Sequence, residues 1–339
     1  MKTEDNIQPD KQVFYRLIAL WVMCEAVLGG MMHAIKVPFT GMIVSSGAVI
    51  CICLIGYYVP VKGAILKATI IVAIFKMMLS PHTPPTAYLA VFFQGMLGQL
   101  LFSNLKFFRF SCILLGMMAL VESAIQRIIV LTILYGNDLW YALNEFIRKV
   151  TGEDSLTNYS LSLGIAYVLL HAVVGAIVGS FAGKIILTSG YWRKTYSQYL
   201  IPLGKYTETD GVATSKNKKK KKLRFLFIMI WVILAALFVQ SYFSIGTPLL
   251  PSQLALKIIL RSIFILLTWY FIVSPLITSI IKKWLTSLKL KSESDISQVM
   301  LLLPATKHIF VQSWNLSASL KGWKRLLFFS KIILVNTLR

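Results

Sequence analysis

Two acidic residues, Glu25 and Glu122, lie inside long apolar runs and are the first candidates for chemistry in this chain. A charged side chain at the centre of a bilayer costs at least about 2.5 kcal/mol, so each acid needs a partner, a water-filled cavity or a task. Lys67 and Lys76 lie in another apolar run. A structural ion pair between two helices is therefore the expected role of Glu25.

Glu122 has polar neighbours on its own helix. Gln126 follows it by one helical turn on the same face, whereas Arg127 is five residues away and does not face it well. Two interpretations stay open. The stripe could pair with other helices and lock a bundle, or it could bind a ligand.

Histidine supplies the remaining titratable candidates, at His33, His82 and His171. Three histidines could in principle bind a transition metal, but nothing in their spacing requires one. We therefore predict no metal and no cofactor. The chain also has no Walker A loop, H-E-x-x-H, G-x-S-x-G or dinucleotide-binding motif. No catalytic residues and no enzymatic activity are predicted.

The composition predicts an all-α integral membrane protein. Of 339 residues, 57% are hydrophobic and 14% are charged, against roughly 25% charged in soluble domains. The net charge of +22 lies in the loops between apolar runs, which is typical of cytoplasmic loops and not of a nucleic-acid-binding face. A membrane-spanning helix needs about 20 apolar residues, and eight segments qualify or nearly do: 13–35, 39–59, 61–80, 86–103, 108–136, 159–186, 223–246 and 254–281.

Six lysines between Lys216 and Lys222 orient these segments. Clustered lysines at a membrane boundary stay on the cytoplasmic side. Counting from them places the N-terminus and residues 187–222 in the cytoplasm and the loops 80–85 and 137–158 outside. The run also divides the chain into a six-span domain (1–190), a basic linker (191–222) and a two-span region with a tail (223–339).

Two amphipathic stretches lie outside the spans. Residues 139–150 carry apolar side chains at helical spacing, which predicts a helix on the outer surface. The basic tail, 296–339, predicts one or two cytoplasmic surface helices broken at Pro304. The run 326–338 is too short to span comfortably as a ninth helix.

Small residues recur every four positions in two spans and predict close helix packing. These ladders are Ala26, Gly30, Ala34 in the first span and Gly175, Gly179, Gly183 in the sixth. Each ladder could pack inside one bundle or dock a separate subunit, and both interpretations remain open.

Residues 13–186 resemble the substrate-binding S component of energy-coupling factor transporters, which are bacterial vitamin and metal uptake systems. The resemblance rests on six spans in under 200 residues, on the first-span ladder, and on the segments "HAIKVPFTGMI" (33–43) and 60–102. In that family a first-span A-x-x-x-A ladder contacts the transmembrane T component, and the ligand site opens outward. The resemblance implies ligand contacts at His82, Thr83, Gln94, Gln126, Arg127 and His171, to which the residue analysis adds His33 and Glu122.

Residues 223–339 are weakly similar to part of a T component, which couples the S component to ATPases. The stretch 299–325 looks like its coupling region, with a long amphipathic helix after a Leu–Pro turn. This implies coupling roles for Trp314, Lys321, Trp323, Lys324 and Arg325. The chain lacks the Ala-Arg-Gly signature of family coupling helices and has fewer spans than a usual T component.

The sequence therefore predicts an uptake component of the bacterial inner membrane. It would bind a vitamin-like molecule or a metal at its outer face, contact membrane lipid, and depend on separate ABC-type ATPases. Two other functions stay open: a membrane enzyme that acts on a lipid or isoprenoid through Glu122 and a histidine, and a scaffold held to anionic lipid by the lysine run.

Overall fold

The structure is a computed structural model that describes residues 11–29, 40–80, 85–151, 158–202 and 254–339. These residues form helices and no strands, which confirms the all-α prediction. The α-helices are α1 (Lys11–Val22), α2 (Thr40–Tyr58), α3 (Ala64–Leu79), α4 (Pro85–Leu101), α5 (Phe108–Tyr135), α6 (Asn137–Thr151), α7 (Tyr159–Thr195), α8 (Leu254–Thr268), α9 (Ser274–Lys291), α10 (Glu293–Leu316) and α11 (Gly322–Thr337).

Four stretches of the described residues are long and apolar enough to cross a membrane: Thr40–Tyr58, Leu105–Tyr135, Tyr159–Thr195 and Ile259–Leu290. Helices α3 and α4 occupy the third and fourth predicted spans but have only 16 and 17 residues. The first predicted span is described as far as Gly29, and the seventh, 223–246, lies outside the described residues together with the lysine run. The membrane character is therefore shown, while the eight-span arrangement stays a prediction.

The chain divides into two compact units. As far as they are described, the first contains Met1–Ser123, Leu170–Thr209 and Ile281–Arg339, and the second contains Ala124–Leu169 and Asp210–Ile280. Helices α5, α7 and α9 thus each contribute residues to both units. The predicted domain boundaries at 190 and 222 stay predictions.

The first unit has a continuous hydrophobic core. Helices α1 to α4 pack together, and α10 lies against α1. Trp21, Ile52 and Phe75 are among the largest side chains that are fully buried there. Between membrane helices such side chains stabilise the core through close van der Waals packing, because lipid supplies no hydrophobic drive for association.

Polar contacts fasten the tail helix α10 to this core. Asp295, in its first turn, accepts a hydrogen bond from the Tyr15 hydroxyl (2.6 Å) and forms an ion pair with Lys67 (Nζ–Oδ1, 2.9 Å). At the other end of the tail, the Arg16 guanidinium donates to the main-chain oxygen of Arg339. The tail is therefore part of the first unit.

The predicted break at Pro304 is wrong, and so is the predicted Leu–Pro turn. Helix α10 continues through Pro304 without interruption from Glu293 to Leu316. Proline removes one hydrogen bond and disfavours a helix interior by about 3 kcal/mol. Packing along α1 compensates for this loss, and the chain turns after Leu316 instead. The next helix, α11, has 16 residues and buries its C-terminal end, from Ile332 to Leu338.

A helix exists at the predicted position as α6, one to two residues longer at its ends than the pattern indicated, and its location on the outer surface stays a prediction. Gly136 forms the turn that joins it to α5, with a positive φ of 72°. The turn requires glycine for its conformation, and the Arg261 guanidinium packs against it, with Nη1 2.1 Å from the position of a Cβ atom. Helix α8 thus packs on α6 within the second unit.

Candidate functional site

A cavity of about 530 Å³ lies in the second unit, between the end of α5, helix α6 and the start of α7. This volume is in the usual range for small-molecule sites, about 300–1,000 Å³. Its lining carries no charged side chain and is mostly apolar. The lining residues are Ile128, Thr132, Trp140, Asn158, Ser160, Leu161, Gly164, Ile165, Val168 and Leu169.

Hydrogen bonds between the three helices fix the polar edge of the cavity. The indole Nε1 of Trp140 donates to Oγ1 of Thr132 at 3.1 Å, which joins α6 to α5. Asn144 joins α6 to α7: its Oδ1 accepts from the main-chain N–H of Ser160 at 2.7 Å, and its Nδ2 donates to Oδ1 of Asn158 at 3.1 Å. The first turn of a helix leaves main-chain donors without partners, and Asn144 satisfies one of them.

The floor of the cavity around Gly164 is open to the surroundings, since Leu161, Ile165 and Leu169 are 61%, 52% and 58% exposed. A Cβ atom on Gly164 would have no heavy atom within 4 Å. An apolar floor with an ordered polar edge is typical of sites for organic ligands, in which a few polar groups fix the orientation of an apolar body.

The first unit contains the predicted Glu25 ion pair. Nζ of Lys76 lies 2.6 Å from Oε2 of Glu25, and the two side chains are 7% and 3% exposed. This confirms the predicted pair for Lys76, whereas Lys67 pairs with Asp295. Lys76 also donates to the main-chain oxygen of Ala87 at 3.5 Å.

Glu25 lies in a π-helical segment, Met23–Leu28, that follows α1 directly. A π-helical turn shifts the hydrogen-bond pattern and frees main-chain oxygens, and such turns are frequent at functional sites. The hydroxyl of Ser80 donates to the main-chain oxygen of Ala26 in this segment at 3.3 Å. The π-helical segment is therefore bonded to α3 through Lys76 and to the end of α3 through Ser80.

The predicted substrate-binding residues that are described do not line the cavity. In the first unit, Gln94 is 1% exposed and donates through Nε2 to Oγ of Ser45 at 3.1 Å, and His171 is 2% exposed. Glu122 is half-buried, and its Oε2 is buried without a hydrogen-bond partner among the described residues.

Of the five remaining residues with predicted substrate-binding roles, two lie in the second unit and three lie outside the described residues. In the second unit, Gln126 is half-buried and Arg127 is exposed, and the two residues directly precede the cavity-lining Ile128. His33, His82 and Thr83 lie outside the described residues. The ligand roles of all eight residues stay predictions.

The second small-residue ladder lies against α5 inside the first unit. A Cβ atom on Gly175 would be 2.3 Å from the main-chain oxygen of Gly116, and one on Gly179 would be 2.2 Å from that of Cys112. A Cβ atom on Gly183 would lie 3.7 Å from Cβ of Cys112, which is an ordinary van der Waals contact. Of the first ladder, Ala26 is buried, and Gly30 and Ala34 lie outside the described residues.

The residues with predicted coupling roles meet at the connection of α10 and α11. The Arg325 guanidinium lies over the Trp314 ring, 3.9 Å from its centroid, and donates to the Trp314 main-chain oxygen at 3.3 Å. Lys321, Trp323 and Lys324 are exposed.

Sequence reasoning missed the polar edge formed by Thr132, Trp140, Asn144 and Asn158. One signal was present, because Asn158 immediately precedes the apolar run of α7, where asparagine is a preferred helix-capping residue. The apolar lining carried no signal, since such side chains are ordinary in a membrane helix. Comparison with protein-family models, curated proteins and solved structures finds no match to this chain.

Proposed function

We propose that this chain is the membrane component of an uptake transporter of the energy-coupling factor type, and that it binds a vitamin-like organic molecule in the cavity between α5, α6 and α7. The cavity is the observation that carries the proposal. It is bounded by the predicted outer loop and by the last two of the six predicted spans, and the resemblance implies an outward-facing site built from the outer loops and the last three of these spans.

The lining supports an organic ligand over a metal ion. Transition-metal ions in proteins are held mainly by imidazole, thiolate or carboxylate groups, and the residues around this cavity offer none of these, only hydroxyl, amide and indole groups. A molecule with an apolar ring and a few polar substituents would fill the apolar floor and meet Thr132 or Asn158 at the edge.

The position of the tail supports coupling within one chain. Helix α10, which covers most of the region that looks like a T-component coupling helix, packs on α1 and is fixed there by Asp295. A displacement of α10 would therefore also move α1, which is the first helix of the six predicted spans. Energy would come from separate ATPases, in keeping with the T-like character of the tail.

A thermal-shift screen of the purified protein against water-soluble vitamins tests the ligand. We expect one of them to raise the unfolding temperature, and we expect Gly164→Phe to abolish this shift, because its ring would occupy the open space behind Gly164. The matched control is Gly190→Phe, since Gly190 lies on the same helix and also has no heavy atom near a Cβ position. No shift with any vitamin would reject the ligand class, and equal loss in both variants would reject the cavity as its site.

Uptake of the stabilising vitamin by cells that express the chain tests the transport itself. We expect uptake to stop when cellular ATP is depleted. Uptake that continues without ATP, or ligand binding without uptake in energised cells, would argue against an ATPase-coupled transporter.

A further inference from the structure

The connection between α10 and α11, residues 317–321, and the start of α11, residues 322–326, present a basic and aromatic surface, here called the tail tip. Trp323 is 68% exposed and Leu326 is 48% exposed. Lys321 and Lys324, on either side of Trp323, are exposed as well. An exposed indole between two lysines is unusual in contact with water alone, and Trp and Lys together are typical of segments that lie at a membrane surface.

The tail tip is held in a fixed shape. Arg325 stacks on Trp314, and its Nη2 and Nε donate to the Trp314 main-chain oxygen and to Oγ of Ser317. These contacts tie the start of α11 to the end of α10. Because Arg325 is engaged within the chain, Lys321, Trp323 and Lys324 remain the side chains available to a partner, and little conformational entropy is lost when they bind.

All charged residues of the tail, 296–339, are basic. No acidic residue occurs between 296 and 339, whereas lysine or arginine occurs at 307, 321, 324, 325, 331 and 339. A surface of this kind is complementary to an anionic partner. The cytoplasmic leaflet presents such a partner, and each lysine near it contributes about 1 kcal/mol.

The tail tip also lies close to the predicted membrane boundary. Arg16 and Thr306 line one small cavity, so the middle of α10 is level with Arg16. Asp295, eleven residues before Thr306 and about 16 Å from it along the helix, also meets α1 here, through the hydroxyl of Tyr15. Helix α10 therefore crosses α1 beside the predicted start of the first span, and the tip directly follows α10.

We propose that the tail tip binds the anionic phospholipid headgroups of the cytoplasmic leaflet. Lys321 and Lys324 contact headgroup phosphates, and Trp323 and Leu326 enter the interface between headgroups and acyl chains. This contact would hold α10, and with it α1, at a fixed depth. It does not depend on the proposed transport function.

Fluorescence quenching of the full chain in lipid nanodiscs tests the proposal. The discs contain either phosphatidylcholine alone or phosphatidylcholine mixed with phosphatidylglycerol, with bromine on the acyl chains as quencher. The difference between the wild type and Trp323→Phe isolates the signal of Trp323 from the other tryptophans. We expect bromine to quench this signal more strongly in mixed discs. In the double variant Lys321→Gln/Lys324→Gln the ratio of bound to free tip should fall about 25-fold, which is fivefold for each lysine.

The matched control is Lys307→Gln, since Lys307 is an exposed lysine of α10 outside the tip. It should leave the quenching unchanged, and the double variant should unfold at the wild-type temperature because both lysines are exposed. Equal quenching in the two kinds of disc, or an equal loss in Lys307→Gln, would overturn the proposal. So would a Trp323 that aqueous acrylamide reaches in both kinds of disc and that only an added ATPase protects, because the tip would then bind protein and not lipid.

Discussion

The two units of this protein differ in how closely their side chains are packed and in how deeply their ion pairs are buried. In the first unit, Glu25 and Lys76 neutralise each other in a core of fully buried side chains. Among the described side chains of the second unit, Ala124 is the only buried hydrophobic residue, and a cavity of about 530 Å³ remains between its helices. Its ion pair, Glu145 with Arg148, is about one-third exposed on both sides.

This contrast indicates a division of labour. Closely packed interiors respond strongly to small changes in volume, whereas loosely packed regions tolerate them and can accept a ligand. We therefore expect substitutions in the first unit to change the stability of the fold, and substitutions in the second unit to change binding with little effect on stability.

The largest effect is expected at the buried ion pair. Lys76→Met would leave the Glu25 carboxylate without its partner in an apolar core, and loss of one member of such a pair costs about 3–5 kcal/mol. The unfolding temperature of the purified protein in detergent should fall steeply. In the double variant Glu25→Leu/Lys76→Met no charge remains, and most of the lost stability should return. A single variant as stable as the wild type would show that the pair does not hold the first unit together.

A smaller effect is expected where helices touch through glycine. Gly179→Ala would place a methyl group 2.2 Å from the main-chain oxygen of Cys112, so α5 and α7 would have to separate. Overpacking of this kind costs about 1–3 kcal/mol. Gly164→Ala, on the same helix, meets no atom and should be neutral or slightly stabilising, since alanine favours a helix over glycine by about 1 kcal/mol. Similar unfolding temperatures for the two variants would contradict the difference in packing between the units.

Hydropathy and isolated charges made part of this structure predictable. An acid and a lysine inside apolar runs must find partners, so an ion pair of Glu25 with Lys67 or Lys76 could be inferred before the fold was known, whereas the choice of Lys76 could not. The helical spacing of apolar residues likewise predicted α6. Both inferences rest on rules that act within a few residues or on the cost of a charge in lipid.

Other features depend on contacts that no local pattern records. Pro304 is a local signal for a helix end, but packing of α10 on α1 overrides it. The cavity arises because Trp140 and Gly164, which are distant in sequence, lie across from each other. Neither residue type marks a ligand site by itself, and so the sequence pointed to Gln94 and His171, which lie in the first unit instead.

The smallest effect is expected at the exposed pair of the second unit. Nη1 of Arg148 lies 3.2 Å from Oε1 of Glu145, one helical turn apart on α6, and pairs of this kind contribute about 0.2–1 kcal/mol because water screens them. Arg148→Gln should therefore lower the unfolding temperature by a degree or two at most, and the difference should vanish at about 1 M salt, where the Debye length is near 3 Å. Glu145→Gln is the matched variant and should behave in the same way. A loss as large as that of Lys76→Met, or one that persists at high salt, would mean that α6 is fixed by charge as firmly as the first unit. The looser packing of the second unit, on which this comparison rests, would then have to be reconsidered.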